Sequence, residues 1–217
     1  MAARRTYDDP CGVARALDVV GERWALLVVR ELLFGPKRFS DLGRGLPGIS
    51  ENVLSQRLRE LEEAGLVRRR RLGPPASTGV YDLTDRGADL EAVLLALSRW
   101  GSRGPLATGS ELSADALILA LKTTFDPGAA GGLVARYELR IGADRFRVRI
   151  SRGRFDVSRG SAEEPDAIIE GDVAALRSLI FGGSSLGEAI RSREVRVLGN
   201  HGVAARLPGC FIRPAFA

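Results

Sequence analysis

Residues 49–71, ISENVLSQRLRELEEAGLVRRRR, constrain the chain most strongly because they join an amphipathic helix to a run of positive charge. Ser50 predicts the start of the helix, since its hydroxyl can accept a hydrogen bond from a free amide of the first turn. Leucines at 54, 58 and 61 recur at helical spacing and give one apolar face. Gly65 can end the helix, and four arginines follow at residues 68–71.

The other faces of this helix carry Asn52, Ser55, Gln56 and Arg59, whose groups suit base edges and phosphates. Each feature also has an ordinary interpretation. The leucines would pack as core in any helical protein, and a run of arginines is commonly a solvated surface. Only the order of these features, together with the segment that precedes them, indicates a DNA-binding module.

The preceding segment predicts two further helices. Residues 24–33, WALLVVRELL, are apolar on nearly all sides and predict a buried helix that a glycine–proline pair ends. Lys37 and Arg38 lie in the next turn, and Ser40 predicts the N-cap of a short helix over residues 41–46. A short glycine-containing turn then leads to the helix described above. Two helices joined in this way form a helix-turn-helix.

The segment after the arginines predicts a wing. Residues 73–79, GPPASTG, predict a hairpin tip, and residues 80–83 predict its returning strand. Thr84 predicts the N-cap of a long helix with more apolar surface than a small module should expose. We interpret this stripe as a dimer contact, and the alternative is packing on the core of the same module. The stripe comprises Leu90, Val93, Leu94, Leu97 and Trp100.

The segment from Cys11 to about Trp100 resembles the HxlR-type winged helix-turn-helix transcriptional regulators. The matching residues are CGVARALDVVGERWALLVVRELLFGPKRFSDLGRGLPGISENVLSQRLRELEEAGLVRRR, then VYDLTDRG and LLALSRWG. The resemblance implies a homodimer, joined through the first and last helices of the module, that reads a palindromic operator in double-stranded DNA. The residues predicted to contact DNA are Lys37, Arg38, Ser50, Asn52, Ser55, Gln56, Arg59, Arg69, Arg70 and Arg71.

Cys11 lies where many members of this family have a cysteine, which in some members resembles a thiol sensor of oxidants or electrophiles. A sensor needs a lowered pKa and access to solvent. The alternative, which we favour, is a small buried apolar residue. Cys11 and Cys210 are the two cysteines of the chain, and their separation fits neither a disulfide framework nor zinc-ligand spacing.

Residues 104–112, GPLATGSEL, predict a linker between a first domain at 1–103 and a second at 113–217. Apolar and charged residues alternate over residues 133–141 and again over 145–150, which predicts strands with one covered and one wet face. The arginines on the wet face form a basic patch, but solvated strands carry such charges routinely, so we do not assign them to DNA. Helices follow the strands, and this order predicts an α+β domain.

Residues 165–211 resemble the sterol-carrier-protein type domain through a DAIIEGD strand-to-helix step, a glycine before a short leucine-rich helix and a VRVLG strand. The resemblance implies a sheet covered by helices and an apolar tunnel for a small hydrophobic ligand. The alternative is that the same side chains fill a packed core. The residues predicted near the ligand are Tyr137, Leu139, Phe146, Val148, Leu176 and Leu179.

The remaining features of the sequence limit the possible classes of function. The chain has 217 residues, a net charge of +5 and one histidine. No phosphate loop, nucleophile elbow or metal-ligand cluster is present in the sequence, so we predict no enzyme, cofactor or metal. No apolar run approaches ~18 residues, so we predict no membrane span and a cytoplasmic protein.

The predicted function is a homodimeric, sequence-specific transcriptional regulator whose second domain binds a hydrophobic effector. Two alternatives stay open. The first is a redox-responsive regulator that senses through Cys11. The second is a lipid-binding carrier whose N-terminal module only dimerises, although it gives no reason for the cations around the helix-turn-helix.

Overall fold

The computed structural model describes residues 6–71, 73, 78–103 and 112–212. Most of the predicted hairpin tip and of the predicted linker at 104–112 lies outside these residues. The chain divides into two compact units, Met1–Leu94 and Leu95–Ala217. None of the helices in the described part is long and apolar enough to cross a membrane.

The first unit is mainly helical and contains a two-stranded antiparallel hairpin in which Val67 pairs with Leu83. Helix α6 starts in this unit and continues across its boundary. The elements in chain order are α1 (Gly12–Val20), α2 (Ala25–Leu32), α3 (Phe39–Gly45), α4 (Glu51–Glu63), β1 (Val67–Arg71), β2 (Gly79–Leu83), α5 (Asp85–Ala88) and α6 (Leu90–Gly101).

The core of this unit forms where the apolar faces of α2 and α4 meet. Val28 and Val29 of α2 have no exposed surface, and Leu58 of α4 is 1% exposed. The Ser50 hydroxyl accepts a hydrogen bond from the Val53 amide at 3.3 Å, as the sequence predicted for the start of α4. Burial of the leucines leaves most polar side chains of α4 on its outer face, although Arg57 is buried.

Two predicted helix starts need correction. Helix α3 begins at Phe39, because Lys37 exchanges backbone hydrogen bonds of 3.0 and 2.8 Å with Tyr81 of β2 and the chain turns helical directly afterwards. Ser40 therefore lies inside α3 rather than at its N-cap. Thr84 does cap a helix, but that helix is the short α5, and the long α6 starts separately at Leu90.

The second unit is α+β, with a five-stranded sheet in the order β5-β4-β3-β6-β7. Strands β3 and β6 are parallel and the other neighbours are antiparallel. The elements are α7 (Ala114–Thr124), α8 (Pro127–Ala130), β3 (Ala135–Ile141), β4 (Asp144–Ser151), β5 (Arg154–Arg159), β6 (Ala167–Gly171), α9 (Val173–Arg177), a π-helical turn (Ser178–Gly182), α10 (Leu186–Arg191), β7 (Val195–Gly199), α11 (His201–Arg206) and a 3-10 turn (Pro208–Cys210).

Burial alternates along the strands, and one face of the sheet is covered. In β4, Phe146, Val148 and Ile150 are buried between exposed arginines. Helix α11 packs on β6 and β7, and the Tyr137 hydroxyl donates a hydrogen bond of 3.0 Å to the Val203 carbonyl of that helix. The predicted sheet with one covered and one charged face is therefore present.

Glu138 departs from the alternation, since it points to the charged face and is only 3% exposed. Its carboxylate accepts hydrogen bonds from the Ala162 amide at 2.8 Å and from Arg140 Nε at 2.7 Å. These contacts tie the loop after β5 down onto the sheet. The hydrogen bonds and the positive charges of Arg140 and Arg145 outweigh desolvation and lower the pKa of Glu138.

Candidate nucleic-acid interface

The exposed face of α4 presents hydrogen-bonding side chains over three turns of helix. Asn52, Gln56 and Arg59 are exposed and Ser55 is half-buried. Gln56 Nε2 donates to Glu60 Oε1 at 3.0 Å, so Gln56 must release this bond before it can bind another acceptor. Ser50 is also exposed, although its hydroxyl caps the helix. Four of the five polar residues predicted here are therefore exposed, and two of these four, Ser50 and Gln56, already form hydrogen bonds within the helix.

The wing carries its positive charge on β1. Arg68 and Arg70 both pair with Asp82 of β2, at 3.3 and 2.6 Å from its Oδ2. Arg69 donates to the Tyr81 hydroxyl and lies 5.0 Å from the centroid of the Tyr81 ring. All four arginines of β1 are nevertheless exposed. The sequence alone did not identify Asp82 and Tyr81 as partners, because only the strand register places them opposite β1.

A buried ion-pair network lies beneath these surfaces. Glu31 of α2 has no exposed surface, and Lys37 Nζ lies 2.6 Å from its Oε2. Arg30 Nη2 lies 2.9 Å from the other carboxylate oxygen and also donates to the Gly45 carbonyl at 3.4 Å. A Cβ at Gly45 would lie 2.1 Å from Glu31 Oε2, so only glycine fits there. The network joins α2, the end of α3 and the strand segment beside the wing.

The network changes the interpretation of Lys37, which the sequence grouped with the phosphate contacts. Lys37 is 7% exposed, whereas its neighbour Arg38 is exposed. A phosphate contact from Lys37 would first have to break the ion pair with Glu31. The signal for this was the charged pair Arg30–Glu31 inside the otherwise apolar segment WALLVVRELL, because a buried helix accommodates a glutamate only with a partner.

Cys11 is exposed, so the expectation of a buried apolar residue was wrong. The residue occupies the N-cap position of α1, where the backbone amides of Val13 and Ala14 lower the pKa of its thiol. Cys210 is buried, and burial raises the pKa of that thiol. The two cysteines therefore differ in both access and acidity.

The six residues predicted near a ligand are all buried in the second unit, on β3, β4, α9 and the π-helical turn. Each is 2% exposed or less. Burial raises the pKa of Tyr137 to about 12. Such burial fits both a packed core and the wall of a closed cavity, so the ligand site stays a prediction.

The fold and this surface define a winged helix-turn-helix protein joined to an α+β unit. The HxlR-like helix-turn-helix family matches residues 19–105, and the SCP-2 sterol transfer family matches residues 117–211. The HTH-type transcriptional regulator YvaP of Bacillus subtilis is 40% identical over 88 residues, which are 41% of this chain and 82% of YvaP. The chain therefore belongs to the HxlR-like helix-turn-helix family.

Two further comparisons involve the same module. An HTH-type transcriptional regulator of Mycobacterium tuberculosis is 47% identical over 89 residues, 41% of this chain, and the match spans only 56% of that relative. The crystal structure of quinone-bound YodB from B. subtilis is 33% identical, with 42% of this chain and 96% of that chain covered and a TM-score of 0.37. Each of these matches covers less than half of this chain.

Proposed function

We propose that this protein is a sequence-specific DNA-binding transcriptional regulator and that α4 is its recognition helix. The observation that carries the proposal is the exposed polar face of α4 beside an arginine-lined wing, in a family whose relatives are named transcriptional regulators. A helix of this kind fits the major groove, where side chains meet base edges, while a wing follows the backbone.

The side chains divide by chemistry. Asn52, Gln56 and Arg59 can bind base edges, and Ser50 and Ser55 can bind bases or the sugar–phosphate backbone. A second set supplies charge to phosphates without reading sequence: Arg38, Arg69, Arg70 and Arg71. We leave Lys37 out of this set because its ammonium pairs with Glu31.

The active form that we propose is a homodimer on a palindromic operator. Exposed apolar side chains on α1 and α6 support the proposal, among them Val13 at 67%, Leu97 at 46% and Trp100 at 72% exposure. Within the first unit, a groove of about 630 Å³ also lies between α1 and the start of α6, with Val19 and Leu90 in its wall. A second copy would remove this apolar surface from water.

Binding to a selected operator tests the proposal. Selection from a random DNA library with the full chain should yield a two-fold symmetric site. Gln56→Ala should then lose about 1–3 kcal/mol of discrimination at one base position in each half-site. Glu63→Ala, an exposed change at the far end of the same helix, is the matched control. Equal binding of Gln56→Ala to every operator variant would exclude α4 as the base-reading helix.

We assign the two functions to the predicted domains, with DNA binding and dimerisation in 1–103, a linker at 104–112 and an effector domain at 113–217. The match of residues 117–211 to the SCP-2 sterol transfer family supports a hydrophobic effector. Such an effector would change DNA binding only if it binds one arrangement of the dimer more tightly than another.

A second candidate function is thiol-based regulation, favoured by the exposure of Cys11 and the lowered pKa of its thiol. Iodoacetamide should alkylate Cys11 faster than Cys210 at neutral pH, because reactivity follows thiolate content and access. Alkylation of the Cys210→Ser variant should also change operator affinity. Alkylation of Cys11 that leaves affinity unchanged would exclude this mode of regulation.

A further inference from the structure

The uncovered face of the sheet in the second unit is strongly basic. Strand register places seven arginines on this face and only three carboxylates, those of Glu138, Asp156 and Glu170. The arginines lie on all strands except β6, and three of them follow one another along β4. The seven are Arg136, Arg140, Arg145, Arg147, Arg149, Arg154 and Arg196.

The register places like charges opposite one another. Arg136 is directly opposite Arg149, and Arg140 is directly opposite Arg145. Like charges in this position destabilise a sheet, although the carboxylate of Asp156 lies opposite Arg149 on the other neighbouring strand. Glu138 relieves the second pair, since its carboxylate lies 2.7 Å from Arg140 Nε and 3.6 Å from Arg145 Nη1. In the first pair, Arg136 Nη1 lies 4.0 Å from Glu164 Oε2.

Arg147 and Arg149 lie on β4, and the register places Glu138 and Asp156 directly opposite them on the neighbouring strands. Arg147 Nε donates to Ser158 Oγ at 2.7 Å, a neutral partner. Neither arginine forms an ion pair with any residue in the described ranges. Both are exposed. The centre of β4 therefore presents two guanidinium groups to solvent, from backbone positions about 7 Å apart along the strand.

The residue type indicates the partner. Guanidinium groups bind phosphate oxygens with two parallel hydrogen bonds, and arginine is enriched wherever phosphates are recognised. Adsorption to a membrane surface also requires apolar side chains that enter the lipid interface. Within the described strands, the large apolar side chains on this face, Ile168 and Leu198, are half-buried. The face thus offers charge without an apolar anchor, which fits a nucleic-acid backbone.

We propose that the basic sheet face, with Arg147 and Arg149 at its centre, is a second DNA-binding surface that contacts phosphates without reading sequence. The proposal rests on the proposed function for the choice of double-stranded DNA as the polyanion. The face and the helix-turn-helix belong to one chain. DNA bound by the helix-turn-helix would therefore be present at a high effective concentration for the basic face.

The test measures binding of the full chain to a random-sequence duplex of about 60 base pairs over a series of salt concentrations. Replacement of two phosphate-binding arginines, Arg147→Ala with Arg149→Ala, should lower the slope of log K against log salt by about 1.8 per chain. Arg147→Lys with Arg149→Lys keeps both charges and should keep most of the slope. The matched control, Arg177→Ala with Arg191→Ala, removes two exposed charges from helix ends elsewhere in this unit and should leave the slope unchanged.

The outcomes separate this proposal from the proposed function. An unchanged salt slope in the Arg147→Ala, Arg149→Ala double variant would overturn the proposed second surface. If Arg70→Ala in the wing lowered the salt slope in the same experiment, the first DNA-binding surface would still be supported. A lower slope in the double variant with an unchanged slope in Arg70→Ala would support the second surface and exclude a phosphate contact by the wing. Loss of binding to phosphatidylserine vesicles, with DNA binding intact, would assign the face to a membrane and also overturn the proposal. Equal thermal melting of all variants confirms that the fold is retained.

Discussion

Lys37→Met tests whether the Glu31–Lys37 pair holds the helix-turn-helix together. Methionine keeps an unbranched apolar stem but removes the ammonium that lies 2.6 Å from Glu31 Oε2. The carboxylate of Glu31 would then stay fully buried after losing the positive charge next to Oε2. We therefore expect the change to destabilise the first unit rather than to act on DNA contacts.

The expected loss can be worked from the geometry. Removal of one partner from a buried ion pair costs about 3–5 kcal/mol of unfolding free energy. Arg30 continues to donate to Glu31 Oε1 at 3.2 and 2.9 Å, and its positive charge compensates part of the buried negative charge of Glu31. We therefore expect a loss near the lower limit, about 3 kcal/mol. Replacement of both partners, Glu31→Leu with Lys37→Met, should recover much of it, because no unpaired carboxylate is left.

Urea denaturation followed by tryptophan fluorescence measures this loss. Trp24 lies directly before α2, and Trp100 lies in α6. Arg38→Met is the control, an exposed neighbour whose replacement should change stability by no more than about 0.5 kcal/mol. A Lys37→Met loss as small as that of the control would refute the structural role. It would also restore Lys37 as a candidate phosphate contact.

Four further predictions follow from the same structure. Arg70→Ala should weaken binding to all DNA sequences alike and lower the salt slope by about one unit, and a sequence-dependent loss would contradict its phosphate role. Leu97→Glu, at a side chain 46% exposed, should give monomers in sedimentation and should weaken operator binding without unfolding the chain. Val148→Trp should leave the melting temperature nearly unchanged if the second unit encloses a cavity, but should cost about 1–3 kcal/mol in a packed core. The pKa of Tyr137 is about 12 against an ordinary 10.0, so between these values the unfolded chain loses a proton that the folded chain keeps. Stability should therefore fall as pH rises through this range, and Tyr137→Phe should reduce the fall measured by urea denaturation.

Local sequence patterns predicted the elements whose causes are local. The Ser50 cap and the leucine spacing of α4 are contained within one helix, and the structure confirms both. The predicted start of α3 at Ser40 was wrong because a backbone bridge between Lys37 and Tyr81 decides where that helix begins. Residues 44 positions apart form that bridge, and no propensity of the Ser40 segment reports on it.

The charged residues show the same division. Arginines at alternate positions of β4 correctly predicted its exposed face. Burial of Glu138 could not be predicted, because its partner is the amide of Ala162 in a distant loop. Burial of Lys37 had one signal in the sequence, the glutamate at position 31 that needs a partner. A charged residue in the sequence therefore indicates an exposed position only where the fold places no buried partner next to it.

The pairing of Arg68 and Arg70 with Asp82 makes the wing carry its own counterion. In the DNA contact that we propose, a phosphate would replace this carboxylate as the partner of the two arginines, so binding would exchange one anion for another. The two arginines are therefore partly neutralised before DNA arrives, which lowers the net gain from each phosphate contact. Their pairing with Asp82 also restricts the side chains in advance, so less rotamer freedom is lost on binding. Changes at Asp82 could thus tune affinity up or down while base recognition by α4 stays the same.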